Sequence, residues 1–155
     1  MISSIAAIGI KNELGKDNTL LFDIPEDMKY FRYTTAGHTV IMGRKTFESL
    51  PNGPLPGRKN IVITRENAYL RHGVDVVHSI EEAVEKVKNE KEAFVIGGAE
   101  IYKQAMPYVD KLYITHVKDT KEADAFFPAI NPTEWEEEKR DPRGKFDFVV
   151  YKKKL

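Results

Sequence analysis

Runs of consecutive apolar residues, broken by turn-forming ones, recur along the chain: ISSIAAIG (2–9), HTVIMG (38–43), KNIVIT (59–64), VDVV (74–77), AFVIGG (93–98), KLYITHV (111–117) and FDFVVYKKK (146–154). Each has the length and composition of a strand. Several are apolar on successive positions instead of alternating, as expected of strands covered on both faces in a largely parallel sheet. Between them the pattern predicts helices from Pro25 to about Ala36, a short one from about Arg44, Ile80 to about Asn89, and Ala99 to about Met106. Strands alternating with helices predict an α/β sandwich with helices on both faces of one sheet. Ser79 is placed to cap the third helix, with Glu81 and Glu82 in its first turn and Lys86 and Lys88 near its end, as the helix dipole favours. Pro107 stops the fourth. Residues 51–58 (PNGPLPGR) and 117–132 are loops by their Pro, Gly and polar content, and both are longer than a bare connection needs. No repeat, low-complexity tract or linker divides the chain, so residues 1–155 are expected to form one domain.

The first helix carries an anomaly. Pro25 suits the first helical position, which sets the phase. Taking Ile24 as zero and about 100° per residue, Met28 falls near about +40°, Phe31 about −20°, Thr35 about +20° and Asp27 about −60°. Asp27 therefore sits on the rim of an apolar stripe, whereas Glu26 and Lys29 point away. One reading is a first-turn acid favouring the helix N-terminus. The other is a carboxylate in a pocket, where only a cationic or hydrogen-bonding ligand offsets its desolvation. Phase alone leaves both open.

Composition narrows the chemistry. The sequence is 41% hydrophobic and 31% charged, and its 24 basic and 24 acidic side chains cancel. No overall field attracts nucleic acid or an anionic membrane, so neither is an expected partner. The absence of cysteine excludes disulfides, thiolate metal sites and thiol nucleophiles. The opening MISSIAAIGIKNE has no basic residue before its short apolar run, and no apolar run reaches membrane-spanning length, so a cytoplasmic location is expected. His38, His72, His78 and His116 lack zinc spacing, and no GxSxG elbow supports a serine hydrolase. No metal is expected. The EEAVEKVKNEKE run reads as a solvated helix face, and Trp135 as an anchor of a strand in the core.

Two turns point to a phosphate-bearing ligand. VIMGRKTFES passes from a buried strand through Gly43 to a helix start with Arg44, Lys45 and Thr46, and FVIGGAEIYKQ does the same through Gly97 and Gly98. Glycine lets the backbone approach a ligand closely, and helix starts present unpaired N–H groups to anions. With Thr64 and Arg65 after a further strand, the basic residues suit an extra ribose phosphate, as in NADP. Neither GxGxxG nor GxxxxGK[ST] occurs.

The ordered set ISSIAAIG, IPEDMKYF, VIMGRKTFESL, PLPGRKNIVIT, FVIGGAEIYKQAMP, KLYITHV and DAFFP resembles bacterial dihydrofolate reductases over essentially the whole chain. Each fragment is moderately specific; their order and spacing are highly so. The resemblance implies an eight-stranded sheet, parallel apart from an antiparallel C-terminal strand, flanked by four helices. It also implies NADPH-dependent reduction of 7,8-dihydrofolate to tetrahydrofolate in one-carbon metabolism, by a monomer open to diaminopyrimidine and other antifolates. Asp27 would hydrogen-bond the pterin and Thr115 would support it. Together with Leu20 and Phe22 of the closing loop they form the implied catalytic set. Ile5, Ala6, Ala7 and Ile96 would wall the pocket, Met28, Phe31, Leu50 and Leu55 would surround the aminobenzoyl ring, and Arg58 would pair with the glutamate. On the cofactor side the resemblance implies Ala7, Gly43, Arg44, Lys45, Thr46, Thr64 and Arg65. It adds the pyrophosphate turn Gly97, Gly98, Ala99, Glu100, Ile101 and Tyr102, and the mobile loop with Leu14, Gly15, Asn18, Thr19 and Leu20. Asp124 would latch that loop.

Two departures stand out. Leu21-Phe22 occupies the place where the family usually reads Pro-Trp, and Phe cannot donate the hydrogen bond of an indole N–H. Glu100 stands where many relatives carry a basic residue. A related pterin or pyrimidine reductase and a non-catalytic folate- or nucleotide-binding protein are the competing readings. Asp27 together with Arg58 argues against the first, while Leu21-Phe22 is what makes the second conceivable.

Overall fold

A computed structural model describes residues 1–155. Its strands are β1 (Ile2–Ile8), β2 (Glu13–Lys16), β3 (Thr19–Leu20), β4 (Thr39–Gly43), β5 (Asn60–Ile63), β6 (Asp75–Val77), β7 (Ala93–Gly97), β8 (Lys111–Val117), β9 (Ala125–Phe126), β10 (Trp135–Pro142) and β11 (Phe146–Lys153). The helices are α1 (Pro25–Thr35), α2 (Arg44–Glu48), α3 (Ile80–Lys86) and α4 (Ala99–Ala105). Eight strands form one sheet in the order β10-β11-β8-β1-β7-β4-β5-β6. Every neighbouring pair is parallel except the two made by β11, which runs antiparallel to β8 and to β10. No helix is long and apolar enough to cross a membrane.

The consecutive apolar residues have the cause the pattern suggested. On β4, Ile41 faces the main core with Ile61, Val95 and Ile114, while Val40 and Met42 face the other side with Val62 and Phe47. Side chains alternate between the two faces, so a central strand covered on both must be apolar throughout. Helices α3 and α4 cover the first face through Ile80, Ala83, Ile101 and Ala105. On the second face α2 contributes Phe47, and Phe22, Ile24 and Tyr30 from α1 and its entry pack on Val117, Phe146 and Phe148. Tyr30 stacks on Phe148 with ring centroids 4.1 Å apart, a contact worth about 1 kcal/mol.

Three features go beyond the sequence pattern. The polar run at Trp135–Pro142 is a full strand, held at the sheet edge by β11 with Trp135 buried. A second sheet, β3-β2-β9, lies in segments expected to be loops. Its β2–β3 hairpin turns on Asp17 and Asn18, both at positive φ (52° and 62°), as a two-residue hairpin turn requires. Helix α3 ends at Lys86, three residues before the expected Asn89.

Candidate active site

Chain direction and strand alternation bring the implied residues together at one place. Ile5 and Ala7 of β1, Ile96 of β7 and Thr115 of β8 share the sheet face covered by α1 and α2. Ala6 alternates to the opposite face and packs against the main core, so only its backbone can line a pocket here. Ligand clefts of such sheets form at the carboxyl ends of the strands, where these residues stand.

The two first-turn acids of α1 part company. Glu26 turns outward to an ion pair with Arg143. Asp27 turns inward, and its Oδ1 accepts a 2.5 Å hydrogen bond from the Thr115 hydroxyl. Burial raises the Asp27 pKa, and the Thr115 bond opposes that shift. No cation faces it at salt-bridge distance. A carboxylate desolvated this far with one hydroxyl partner is a group held ready for a donor-rich ligand. Two turns further along the same face, Thr35 accepts a 3.0 Å bond from Arg58 Nη1, and Arg58 Nε bonds the Pro56 carbonyl. Burial and the nearby Arg32 both lower the Arg58 pKa, which marks a guanidinium short of an anion.

Met28 is 48% exposed and Phe31 only half-buried. The stripe that phase assigned to α1 is therefore not a core stripe. The helix is anchored by Ile24 and Tyr30, while Met28, Phe31 and the half-buried Leu50 and Leu55 keep apolar surface open between the two charges.

The two glycine turns meet because β4 and β7 are parallel neighbours, with Met42 paired to Gly97. Gly97 has φ +132°, open to glycine alone, and precedes a cis peptide to Gly98. A methyl group on Gly98 would lie 3.4 Å from the Thr46 hydroxyl oxygen, so α2 and the second turn form a single cradle. On Gly43 it would stand 3.0 Å from Ile101. Lys45 and Arg65 are exposed beside it, and Arg44 lies 2.9 Å from Glu48 and 3.8 Å from Glu66. Side-chain-free backbone flanked by three cations fits a dinucleotide with an extra phosphate.

Other implied residues are placed differently. Leu14 is buried in the main core, so any ligand contact from it is through its backbone. Tyr102 is also buried, its hydroxyl donating 2.6 Å to the Ile5 carbonyl, and burial pushes its pKa far up. It braces the pocket wall from behind. Thr64 is buried and its hydroxyl accepts from Glu66 N. Glu100 is exposed and bonded by Gln104. Leu20 is 76% exposed on the hairpin, with Gly15, Asn18 and Thr19 around it and Ala99 at the start of α4. Asp124 does join that hairpin to the 117–132 segment: its N–H donates to the Gly15 carbonyl and its carboxylate accepts from Asp17 N, both at 3.0 Å.

Sequence reasoning missed the most deeply buried acid. Glu13, 1% exposed, accepts hydrogen bonds from Lys11 N, the Thr120 hydroxyl and Lys121 N, tying the turn after β1 to the 119–121 segment. These bonds outweigh burial and lower its pKa to about 2. No sequence signal marked it, since Glu13 follows Lys11 and Asn12 in a polar stretch.

Comparison with known proteins follows the same outline. The family model described as dihydrofolate reductase matches residues 1–153. The dihydrofolate reductase of Neisseria meningitidis serogroup B is 47% identical, covering 97% of this chain and 96% of that protein. That of Bacillus subtilis is 40% identical, covering 99% and 95%. A solved structure, dihydrofolate reductase from Enterococcus faecalis complexed with NADP(H) and RAB-propyl, superposes with a TM-score of 0.92 at 33% identity, over 100% of this chain and 97% of that one.

Proposed function

Since the chain belongs to the dihydrofolate reductase family and reduces 7,8-dihydrofolate to tetrahydrofolate with NADPH, we propose that the cleft between Asp27 and Arg58 holds the substrate and that the glycine cradle holds the cofactor. One observation carries this assignment. An acid short of donors and a guanidinium short of an anion are tied to α1 two helical turns apart, about 12 Å along it, the first as Asp27 itself and the second through its bond to Thr35. Dihydrofolate has a donor-bearing pterin at one end and a carboxylate-bearing glutamate at the other, with an aromatic ring between. Met28, Phe31, Leu50 and Leu55 meet that ring.

NADPH, when bound, supplies the hydride that reaches pterin carbon 6. Lys45, Arg65 and Arg44 take its adenosine phosphates, and the backbone at Gly97 and Gly98 with Thr46 takes the pyrophosphate. Asp27 accepts from the pterin 2-amino group and the adjacent ring nitrogen, which offsets its desolvation and fixes the ring's orientation. Thr115 holds the carboxylate in that pose. In this orientation nitrogen 5 lies at the ring edge away from Asp27, so the proton it gains is delivered by water. Leu20 and Phe22 exclude bulk solvent from the other side.

NADPH oxidation followed by near-ultraviolet absorbance, with dihydrofolate and then with NADH in place of NADPH, tests the assignment. Arg58→Gln is expected to raise KM for dihydrofolate at least tenfold, on the order of one lost charge-assisted bond, with kcat little changed. An unchanged KM would remove Arg58 from the site.

A further inference from the structure

The segment that departs from the family pattern, Leu21-Phe22, is held by a residue with no assigned role. Lys121 Nζ donates to the Leu21 carbonyl at 3.0 Å and stands 5.3 Å from the centre of the Phe22 ring. An ammonium at that distance over an aromatic face is attracted by the ring quadrupole. The lysine is itself fixed at its root, because its backbone N–H donates 3.0 Å to the buried Glu13 carboxylate. Glu13 also binds Thr120 and Lys11, so the anchor belongs to the body of the protein. Phe22 in turn packs against Val117, Phe146 and Phe148, on the α1 side of the sheet.

Leu21 is free of proline's backbone restriction, and Phe22 has no polar edge with which to fix its own orientation. Some other group must order the step between the exposed hairpin end and α1. Asp124 secures the hairpin through Gly15 and Asp17, at 3.0 Å each, and Gly15 pairs with Leu20, but none of these bonds reaches Leu21 or Phe22. Lys121 reaches both the carbonyl of one residue of that step and the ring of the next. We propose that Lys121 is a positioning residue for the reductase reaction, holding Leu21 and Phe22 in the closed arrangement over the pterin. The inference rests on the substrate placement given above.

The test compares Lys121→Met, which keeps the stem but removes the donor and charge, with Lys121→Arg, which keeps both. Lys121 is exposed and forms no ion pair, so both variants should fold, with the methionine variant's thermal midpoint lowered by no more than one hydrogen bond's worth. Two readouts are expected to move in the methionine variant. Amide hydrogen exchange of the 20–23 segment should quicken in the ligand-free protein. The single-turnover rate of dihydrofolate reduction should fall about fivefold, one hydrogen bond's worth, with KM for NADPH within about twofold of the original. Arginine should restore both. Exchange or single-turnover rate unaltered in Lys121→Met, or arginine failing to restore them, would overturn the role. If the unmodified protein failed to oxidise NADPH with dihydrofolate, the substrate placement would fall instead, a result the exchange measurement alone does not produce.

Discussion

Two side chains in this molecule are held against their own solvation, for different reasons. Asp27 has its pKa raised by burial, so the folded protein binds its proton more tightly than the unfolded chain does. Its contribution therefore favours folding below the unfolded carboxyl pKa and turns unfavourable as pH rises through the folded one. Asp27→Asn removes that cost. The variant is expected to melt higher at neutral pH, by roughly 3 °C for about 1 kcal/mol in a chain of this size, while losing most of its dihydrofolate reductase turnover. Equal melting at neutral pH together with full single-turnover rate would show that the carboxylate is neither strained nor needed. Ser4 is a different case. It is fully buried on the β1 face shared with Ile2 and Ile8, and its hydroxyl has no hydrogen-bond partner. Ser4→Ala deletes an unsatisfied group without opening a cavity, and is expected to raise the unfolding free energy by about 1 kcal/mol in urea titration, with activity unchanged. A destabilised Ser4→Ala protein would mean that the hydroxyl is satisfied in solution.

At the scale of elements, the central strands of the main sheet were legible because a doubly covered strand must be apolar on both faces, and Val40–Met42 of β4, Ile61–Ile63 of β5 and Ala93–Ile96 of β7 obey that rule. Of the edge strand β10 only the buried start at Trp135 was legible, because residues 136–140 are all charged and exposed, and the antiparallel partner β11 supplies what propensity does not. The small sheet was equally hidden, since two-residue strands such as Thr19–Leu20 carry no periodicity. For α1 the phase of Asp27 was legible but its meaning was not: a stripe of Met28, Phe31 and Thr35 has the same pattern whether it meets a core or a ligand. Only the opposed pairings of Glu26 with Arg143 and Asp27 with Thr115 separate a helix-end charge from a pocket charge. The step before α1 carries its own prediction. Phe22→Trp restores an indole N–H that can order a bridging water at the pterin, and is expected to tighten binding of a diaminopyrimidine inhibitor about fivefold. Inhibition constants and turnover both unchanged in Phe22→Trp would show that Lys121 and the phenyl ring already supply all that the indole would.

At the scale of the whole molecule, two segments far apart in sequence act as one body beside the proposed cleft. The turn after β1 and the loop after β8 are joined by Ile10 N to the Asp119 carbonyl at 2.9 Å, by Phe127 N to the Asn12 carbonyl at 2.8 Å, and by the Glu13 carboxylate. Gly9 is required at this junction, because a methyl group there would stand 2.6 Å from Glu13 Oε1 and 2.9 Å from the Asp119 carbonyl. Glu13 has its pKa lowered to about 2 by its three donors, so the unfolded chain binds its proton more readily than the folded one. The stabilisation is therefore complete above the ordinary glutamate range and is lost as pH falls from about 4.5 towards about 2. Linkage makes it worth on the order of 3 kcal/mol at neutral pH, a large share of the stability of a domain this size. Glu13→Gln cannot satisfy three donors with a group that is itself half donor, and is expected to unfold at lower urea concentration by about that free energy at pH 7. The gap should narrow as the buffer is taken below about pH 4.5, where Glu13 takes up its proton in the unfolded chain while the folded carboxylate, at about 2, is still ionised. Urea midpoints of the two proteins at pH 7, 5 and 3.5 decide the matter: a gap that stays constant across the series would mean that Glu13 joins the two segments by shape alone, and that its charge contributes nothing to holding them.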